Sequence, residues 1–181
     1  MGYKTTPINL RGDLRQMTAD VHANLETRWF GTGGFTSRSH YEEFLRQAFG
    51  VHRDLGLPAA QVWGDEDAVT GERARIAHLA SDLGAKPDHR GDRRTMTESY
   101  AWGVAYVLNG SCLGASVMLK RGDIPDDWPS RYFAHGRTYV QNGGLKRFFE
   151  KLNAAPIDPG AASQGANACF EAFMSTANHT H

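Results

Sequence analysis

The segment from residue 97 to residue 121 constrains the fold of this chain more than any other stretch. Its composition predicts one long helix, yet the helix would contain three glycines, and each costs roughly 1 kcal/mol relative to alanine. Gly103, Gly110 and Gly114 are separated by seven and four residues, so they share one face of the helix. We therefore expect a broad, flat object to lie against this bare strip of backbone. On the glycines alone, a close helix–helix crossing and a bound ligand are equally good interpretations.

The rest of the chain also shows helical periodicity, and no stretch alternates with the period of two that is typical of strands. Capping boxes are expected at Ser39 with Glu42 and at Thr95 with Glu98, and Gly122 should end the long helix. The sequence predicts an all-α, single-domain bundle of six or seven helices that spans residues 1–181. Apart from the long helix, the predicted helical ranges are 9–29, 39–55, 71–83, 131–153 with a possible break at residues 143–144, and 161–177, and residues 59–69 are either a loop or a short helix.

Composition excludes several classes of function. Twenty acidic and twenty basic residues balance, so no basic field favours nucleic acid. Cys112 and Cys169 lie far apart and suggest a reducing compartment without a disulfide framework. The N-terminal residues lack the apolar core of a signal peptide, and no uninterrupted run of about 18 apolar residues occurs. We therefore expect a monomeric cytoplasmic protein that binds neither nucleic acid nor membrane.

The eight histidines are the first candidates for chemistry. His52 falls on an apolar face and fits a core histidine with satisfied hydrogen bonds, whereas His22 shares a stripe with Arg15 and Leu25. A neutral imidazole on such a helix suits axial ligation of heme iron, with Arg15 roughly 10 Å away at a carboxylate edge. On spacing alone, a core histidine beside a surface arginine is the simpler interpretation. Solvation is expected for the other six, which are His40, His78, His89, His135, His179 and His181.

Two segments resemble a known family. LRQMTADVHANLE, residues 14–26, is similar to the proximal helix of heme oxygenases, and YVLNGSCLGA, residues 106–115, resembles the distal helix of the bacterial members. Both segments occur in the family's order. The resemblance implies the heme oxygenase fold, with heme between an N-terminal proximal helix and a glycine-rich distal helix.

The resemblance also implies roles for individual residues. Asn109 departs from the pattern, because an acidic residue is expected before the first distal glycine. The implied roles are His22 as the axial iron ligand, Arg15 and Tyr106 as partners of the heme propionates, and Gly110, Ser111 and Gly114 as the catalytic residues of the distal face, where Ser111 serves a water network.

The implied activity is oxidative cleavage of heme to biliverdin, CO and ferrous iron. Heme would be both cofactor and substrate, O2 the oxidant, and an external ferredoxin or reductase the electron donor, since no flavin or dinucleotide fingerprint is present. Three alternatives stay open. They are a heme carrier or sensor of the same fold without turnover, a thiaminase-like enzyme with Cys112 or Cys169 as nucleophile, and a helical interaction module in which the glycines serve packing.

Overall fold

The computed structural model describes residues 9–31, 33–89 and 95–175. Within these ranges the chain is all-α, as the sequence predicts, and no strand occurs. The parts of the predicted loop 86–94 and of the predicted last helix that fall beyond these ranges lie outside the described residues. The helices are α1 (Leu10–Met17), α2 (Ala19–Trp29), α3 (Arg38–Val51), α4 (Leu57–Trp63), α5 (Glu66–Asp82), α6 (Glu98–Arg121), α7 (Arg131–Gln141), α8 (Gly144–Ala154) and α9 (Pro159–Met174), with a π-helical segment (His52–Gly56) between α3 and α4.

The predicted helix over residues 9–29 is in fact two helices that meet at Thr18. The Thr18 side chain is buried, and its Oγ1 donates to the Leu14 carbonyl oxygen at 2.7 Å. This local bond competes with the helical ladder, and the backbone of Thr18 leaves the helical region at φ −112° and ψ 8°. The prediction of one helix was therefore wrong, and Arg15 and His22 lie on different helices.

The predicted end of the helix over residues 39–55 was also wrong. The chain continues from α3 through the π-helical segment into α4, because Pro58 falls in the first turn of α4, where its missing N–H is not needed. A Cβ atom built on Gly56 would overlap the Glu72 carboxylate and approach the Leu108 side chain to 2.8 Å. The segment thus brings its backbone directly against α5 and α6.

The helix boundaries follow local hydrogen bonds that differ from the predicted capping boxes. Ser37, not Ser39, caps α3 by accepting from the His40 backbone N–H at 3.1 Å. Thr97, not Thr95, caps α6 by accepting from the Tyr100 N–H at 3.3 Å. Gly122 ends α6 as predicted, with a left-handed φ of 72°.

Other boundaries fit the expectations. Residues 123–130 form no regular element. The possible break in residues 131–153 is real, since Gly143 adopts a φ of 73° between α7 and α8. The break between α7 and α8 and the break at Thr18 raise the number of helices in the described residues above the predicted six or seven.

Helix α6 is the centre of the bundle and packs against α4, α7, α8 and α9. Its closest crossing is with α9, where a Cβ atom on Gly103 would overlap the backbone of Ala162. Gly165 on α9 makes the reciprocal approach to the backbone of Tyr100. The helix-packing interpretation is therefore correct for Gly103.

Helix α6 is also long and apolar enough to cross a membrane by length and composition. However, 56% of its most apolar window is buried inside the bundle, and the core helix of a soluble protein passes the same test. Its length and hydropathy are accounted for by its central position.

Candidate functional site

The C-terminal half of α6 presents an open apolar face. A Cβ atom built on Gly110 or Gly114 would meet no atom within 4 Å, in contrast to Gly103. Leu113 and Val117 flank these glycines and are 47% and 44% exposed, which is high for large apolar side chains. The four residues are spaced as neighbours on a helix. The glycines at this end of α6 therefore leave a flat apolar surface that no helix in the described part of the chain covers.

His22 lies on α2 with its side chain 51% exposed, so it is not a core histidine. Its ring packs edge-on against Phe170 of α9, with 5.4 Å between ring centroids. Its Nδ1 lies 3.6 Å from a Glu26 carboxylate oxygen. A carboxylate beside one ring nitrogen is the usual partner of a metal-ligating histidine, because it orients the ring and leaves the other nitrogen available.

Helices α2 and α6 both pack against α9 but make little contact with each other. The described residues contain no hydrogen bond or ring contact between His22 and the glycine face. No group of three or more metal-ligating side chains occurs within them either.

Arg15 and Tyr106, the residues of the predicted propionate site, lie within electrostatic range of each other. Burial raises the pKa of Tyr106, while a hydrogen bond with Thr18 and the positive charges of Arg11 and Arg15 act in the opposite direction. Arg15 is exposed at the end of α1. Arg11 joins this cluster, although no sequence pattern singled it out, and its guanidinium stacks 4.1 Å from the Phe149 ring centroid.

Ser111 points away from the open face towards α5 and α7. Its Oγ donates to the Leu108 carbonyl oxygen at 2.8 Å, and Ser111 also hydrogen-bonds with Tyr132. It lines a cavity of about 10 Å³ together with Arg75, Tyr132 and His135. A cavity of this size has room for about one water molecule. The buried Nε of Arg75, which has no partner among the described residues, would be a donor for such a water.

A buried polar network lies beneath Ser111. His52 bonds through Nδ1 to Glu72, and its Nε2 lies 2.9 Å from the Tyr132 hydroxyl. Glu72 accepts from Arg75 Nη1 at 3.0 Å, and Arg75 Nη2 donates to Asn109 Oδ1 at 3.0 Å. His52 is therefore a satisfied core histidine, as its position on an apolar face suggests. Asn109 belongs to this network and not to the open face.

The charged groups of the network stabilise each other's ionised forms. Burial alone would raise the pKa of Glu72, but the charges and hydrogen bonds of His52 and Arg75 outweigh it and lower that pKa. Burial acts to lower the pKa of Arg75, but Cys112 and Glu72 raise it above its ordinary value. The Glu72 carboxylate and the Arg75 guanidinium are thus both ionised inside the bundle.

Sequence reasoning missed Glu72 and Arg75. Both residues lie on α5, where Ile76 and Leu79 are fully buried. Glu72 precedes Ile76 by four residues and Arg75 precedes Leu79 by four, so both lie on the buried stripe of α5. Two opposite charges on the apolar face of a helix were the signal that could have found them.

His78 and His135 also differ from expectation, because they are partly buried and pack together with 4.9 Å between ring centroids. Burial, together with the charges of Arg75 and His78, lowers the pKa of His135 to about 4. The prediction that both are solvated was wrong. Each histidine lies off the most buried stripe of its own helix. The two side chains are nevertheless partly buried, because α5 and α7 pack side by side.

The two cysteines are poor nucleophiles. Cys112 and Cys169 are buried, and burial raises the pKa of both thiols, for Cys169 well above its ordinary value. Reactive cysteines instead have lowered pKa values and partial exposure. The thiaminase-like alternative with a cysteine nucleophile loses its support.

Comparison with known proteins identifies the fold. No protein-family model and no curated protein sequence matches the chain. Among solved structures, the NO- and CO-bound heme oxygenase from Neisseria meningitidis superposes with a TM-score of 0.59 over 94% of this chain and 95% of its own. The chain has the fold of a heme oxygenase. At 20% sequence identity, the likeness establishes the architecture and leaves activity to be argued from the residues.

Proposed function

We propose that this chain is a heme oxygenase that cleaves heme to biliverdin, CO and ferrous iron with O2 and external electrons. The observation that carries the proposal is the open apolar face of α6, where Gly110 and Gly114 expose backbone between Leu113 and Val117. A flat hydrophobic molecule fits such a face, because only glycine lets a ring approach the helix backbone closely.

The residues around this face fit heme. His22 offers a ring nitrogen for iron while Glu26 lies beside Nδ1. Arg11, Arg15 and Tyr106 form a cluster of cations and a hydroxyl suited to propionate groups. Heme held there would supply the iron that activates O2 and the porphyrin ring that is oxidised.

The chain's own contribution would be to position water and exclude bulk solvent. Leu113 and Val117 give the face an apolar border, which disfavours free water near the ring edge. Ser111, Tyr132 and Arg75 surround the small cavity behind the glycines and could hold one ordered water as a proton source. The proposal includes an external ferredoxin or reductase and a monomeric cytoplasmic protein.

Heme titration tests the binding step. The wild-type protein should develop a sharp Soret band at one heme per chain, and His22→Ala should change the ferric spectrum because the ring nitrogen proposed to bind iron is lost. His89→Ala is the matched control, since His89 is exposed in the segment before α6. Identical spectra for wild type and His22→Ala would reassign the ligand.

Reduction under air in the presence of catalase tests turnover. We expect the Soret band to bleach and a bile-pigment spectrum to appear, with CO released. A ferrous complex that only autoxidises to ferric heme would contradict the enzyme and favour the carrier or sensor of the same fold. Failure to bind heme at all would contradict both.

A further inference from the structure

One residue, Thr18, holds the break between α1 and α2. Its side chain is 2% exposed, and the Leu14 carbonyl oxygen accepts both from its backbone N–H at 3.0 Å and from its Oγ1 at 2.7 Å. A threonine side chain that bonds to the carbonyl four residues earlier often bends a helix. Beyond the break, the Thr18 carbonyl oxygen accepts from the His22 backbone N–H at 3.0 Å. Thr18 therefore joins the end of α1 to the turn of α2 that carries His22.

Thr18 also ties this break to α6. Its side chain hydrogen-bonds with the hydroxyl of Tyr106. A hydroxyl carries a single proton, and the proton of Thr18 goes to the Leu14 carbonyl oxygen, so the Tyr106 hydroxyl is the donor in the second bond. Tyr106 precedes Gly110 by four residues and therefore lies one turn before it on the same face of α6. The bond thus holds the α1–α2 break at the edge of the open face.

Helix α2 is held firmly at its far end. Of the residues of α2, all of which the structure describes, Trp29 alone is buried, and its indole N–H donates to the Phe173 carbonyl oxygen at 2.8 Å. Trp29 lies about 10 Å along the helix from His22, whereas Thr18 lies about 6 Å away. The Trp29 bond ties α2 to α9, while the Thr18 bond ties it to α6. Thr18 is therefore the nearer anchor of His22 and the one that relates it to the glycine face.

We propose that Thr18 is a positioning residue that, through its bond with Tyr106, sets the distance and direction of the His22 imidazole from the glycine face. The inference rests on the proposed function, because it assigns a role within the same site. In the apoprotein the bond holds α2 and α6 in a fixed relation at one end of the open face, so that a flat ligand meets a site already formed. Preorganisation of this kind raises affinity without a further contact to the ligand.

The bond between iron and histidine reports the position of His22. Heme titration of the full chain measures affinity, and resonance Raman spectroscopy of the reduced complex measures the iron–histidine stretching band. Thr18→Val keeps the shape of the side chain but removes its hydroxyl, so we expect it to shift this band and to weaken heme binding about fivefold. Thr18→Ser retains the hydroxyl and should return both the band and the affinity to the wild-type values.

Two further substitutions locate the effect. Tyr106→Phe removes the other partner of the bond and should shift the band in the same direction, and the double variant Thr18→Val, Tyr106→Phe should shift it by less than the sum of the two single shifts. Thr27→Val is the matched control and should leave the band unchanged. Thr27 lies on α2 and makes the same local bond, from its Oγ1 to the Ala23 carbonyl oxygen at 2.9 Å, but its side chain is exposed.

Three results would overturn this inference alone, in a wild-type protein that binds heme. They are an unchanged band in Thr18→Val, equal shifts in Thr18→Val and Thr27→Val, and additive shifts in the double variant. Should Thr18→Val fail to fold, Tyr106→Phe decides the matter, since it removes the same bond from the partly buried partner. A wild-type protein that develops no Soret band would instead overturn the proposed function, and this inference with it.

Discussion

Glu72 and Arg75 place opposite charges inside the core, with His52 bonded to the same carboxylate. Moving such charges out of water costs several kcal/mol per ion, and the loss is recovered only when geometry and partners are good. Here the guanidinium also bonds to Asn109, the residue that precedes Gly110 on α6. The network therefore fixes the position of Ser111 and its cavity relative to the open face.

Removing one partner of this network should destabilise the protein strongly. We expect Arg75→Met to lower the free energy of unfolding by about 3 kcal/mol, because the Glu72 carboxylate would stay buried with less compensation. The double variant Glu72→Gln, Arg75→Met should lose less than the sum of the two single variants. Urea denaturation at neutral pH measures both.

Arg38→Met is the control for this prediction. Arg38 and Glu42 form an exposed pair on α3, with 3.1 Å between Arg38 Nε and Glu42 Oε1. Such surface pairs contribute at most about 1 kcal/mol. Equal losses for Arg75→Met and Arg38→Met would show that the buried network adds nothing.

At the scale of the element, α6 uses glycine for two different purposes. Gly103 permits the close crossing with α9, whereas Gly110 and Gly114 face open space. The three glycines share one face by spacing, but α9 covers only the N-terminal half of that face. The half that α9 leaves open is where the proposed ligand would lie.

Alanine substitutions should therefore change stability in opposite directions along the same helix. Gly103→Ala should lower the free energy of unfolding by about 1–3 kcal/mol, because its Cβ would overlap the Ala162 backbone. Gly110→Ala should raise it by up to about 1 kcal/mol through better helix propensity. Chemical denaturation of the apoprotein measures both effects.

A larger side chain at Gly110 tests heme binding separately from folding stability. Gly110→Leu should still fold, since the space around a Cβ at Gly110 is open, but its side chain would project into the proposed ring site. A variant that binds heme as tightly as wild type would contradict the role of this face. A destabilised Gly110→Ala variant would instead mean that α6 needs the glycine for packing.

At the scale of the whole molecule, two groups link folding to pH in separate windows. Burial lowers the pKa of His135 to about 4 in the folded state, below its ordinary value of 6.5. As pH falls below 6.5, the unfolded chain takes up this proton first, so the folded state loses relative stability down to about pH 4. The lowered pKa of Glu72 gives a loss at more acidic pH, once the unfolded carboxyl begins to protonate.

The variant His135→Asn should remove the loss of folding stability that occurs between about pH 6.5 and about pH 4. We expect its free energy of unfolding to stay nearly constant from about pH 6.5 to about pH 5, where wild type declines, because asparagine takes up no proton. Urea denaturation at several pH values measures the slopes. His89→Asn, at an exposed position, should retain the wild-type slope, and a His135→Asn slope equal to that of wild type would assign the decline to other groups.

The sequence predicted those features that depend on local periodicity. Helix α6 was predicted almost to the residue, because its apolar content, basic last turn and Gly122 stop all act within one segment. The gap between α7 and α8 was visible for the same reason. The N-cap residues were harder to predict, because several Ser and Thr residues lie near each helix start. Which of them caps the helix depends on the path of the preceding chain.

The sequence by itself determined an all-α bundle and selected Gly110 and Gly114, two residues of the open face. Periodicity within one segment does not show which distant helices pack together. Tertiary structure decided these contacts. The crossing of α9 separated Gly103 from Gly110. The packing of α5 against α7 and the π-helical segment assembled His52, Glu72, Arg75 and Tyr132 into one network. The break at Thr18 was also decided in three dimensions, since its buried side chain bonds to Leu14 and contacts Tyr106 of α6.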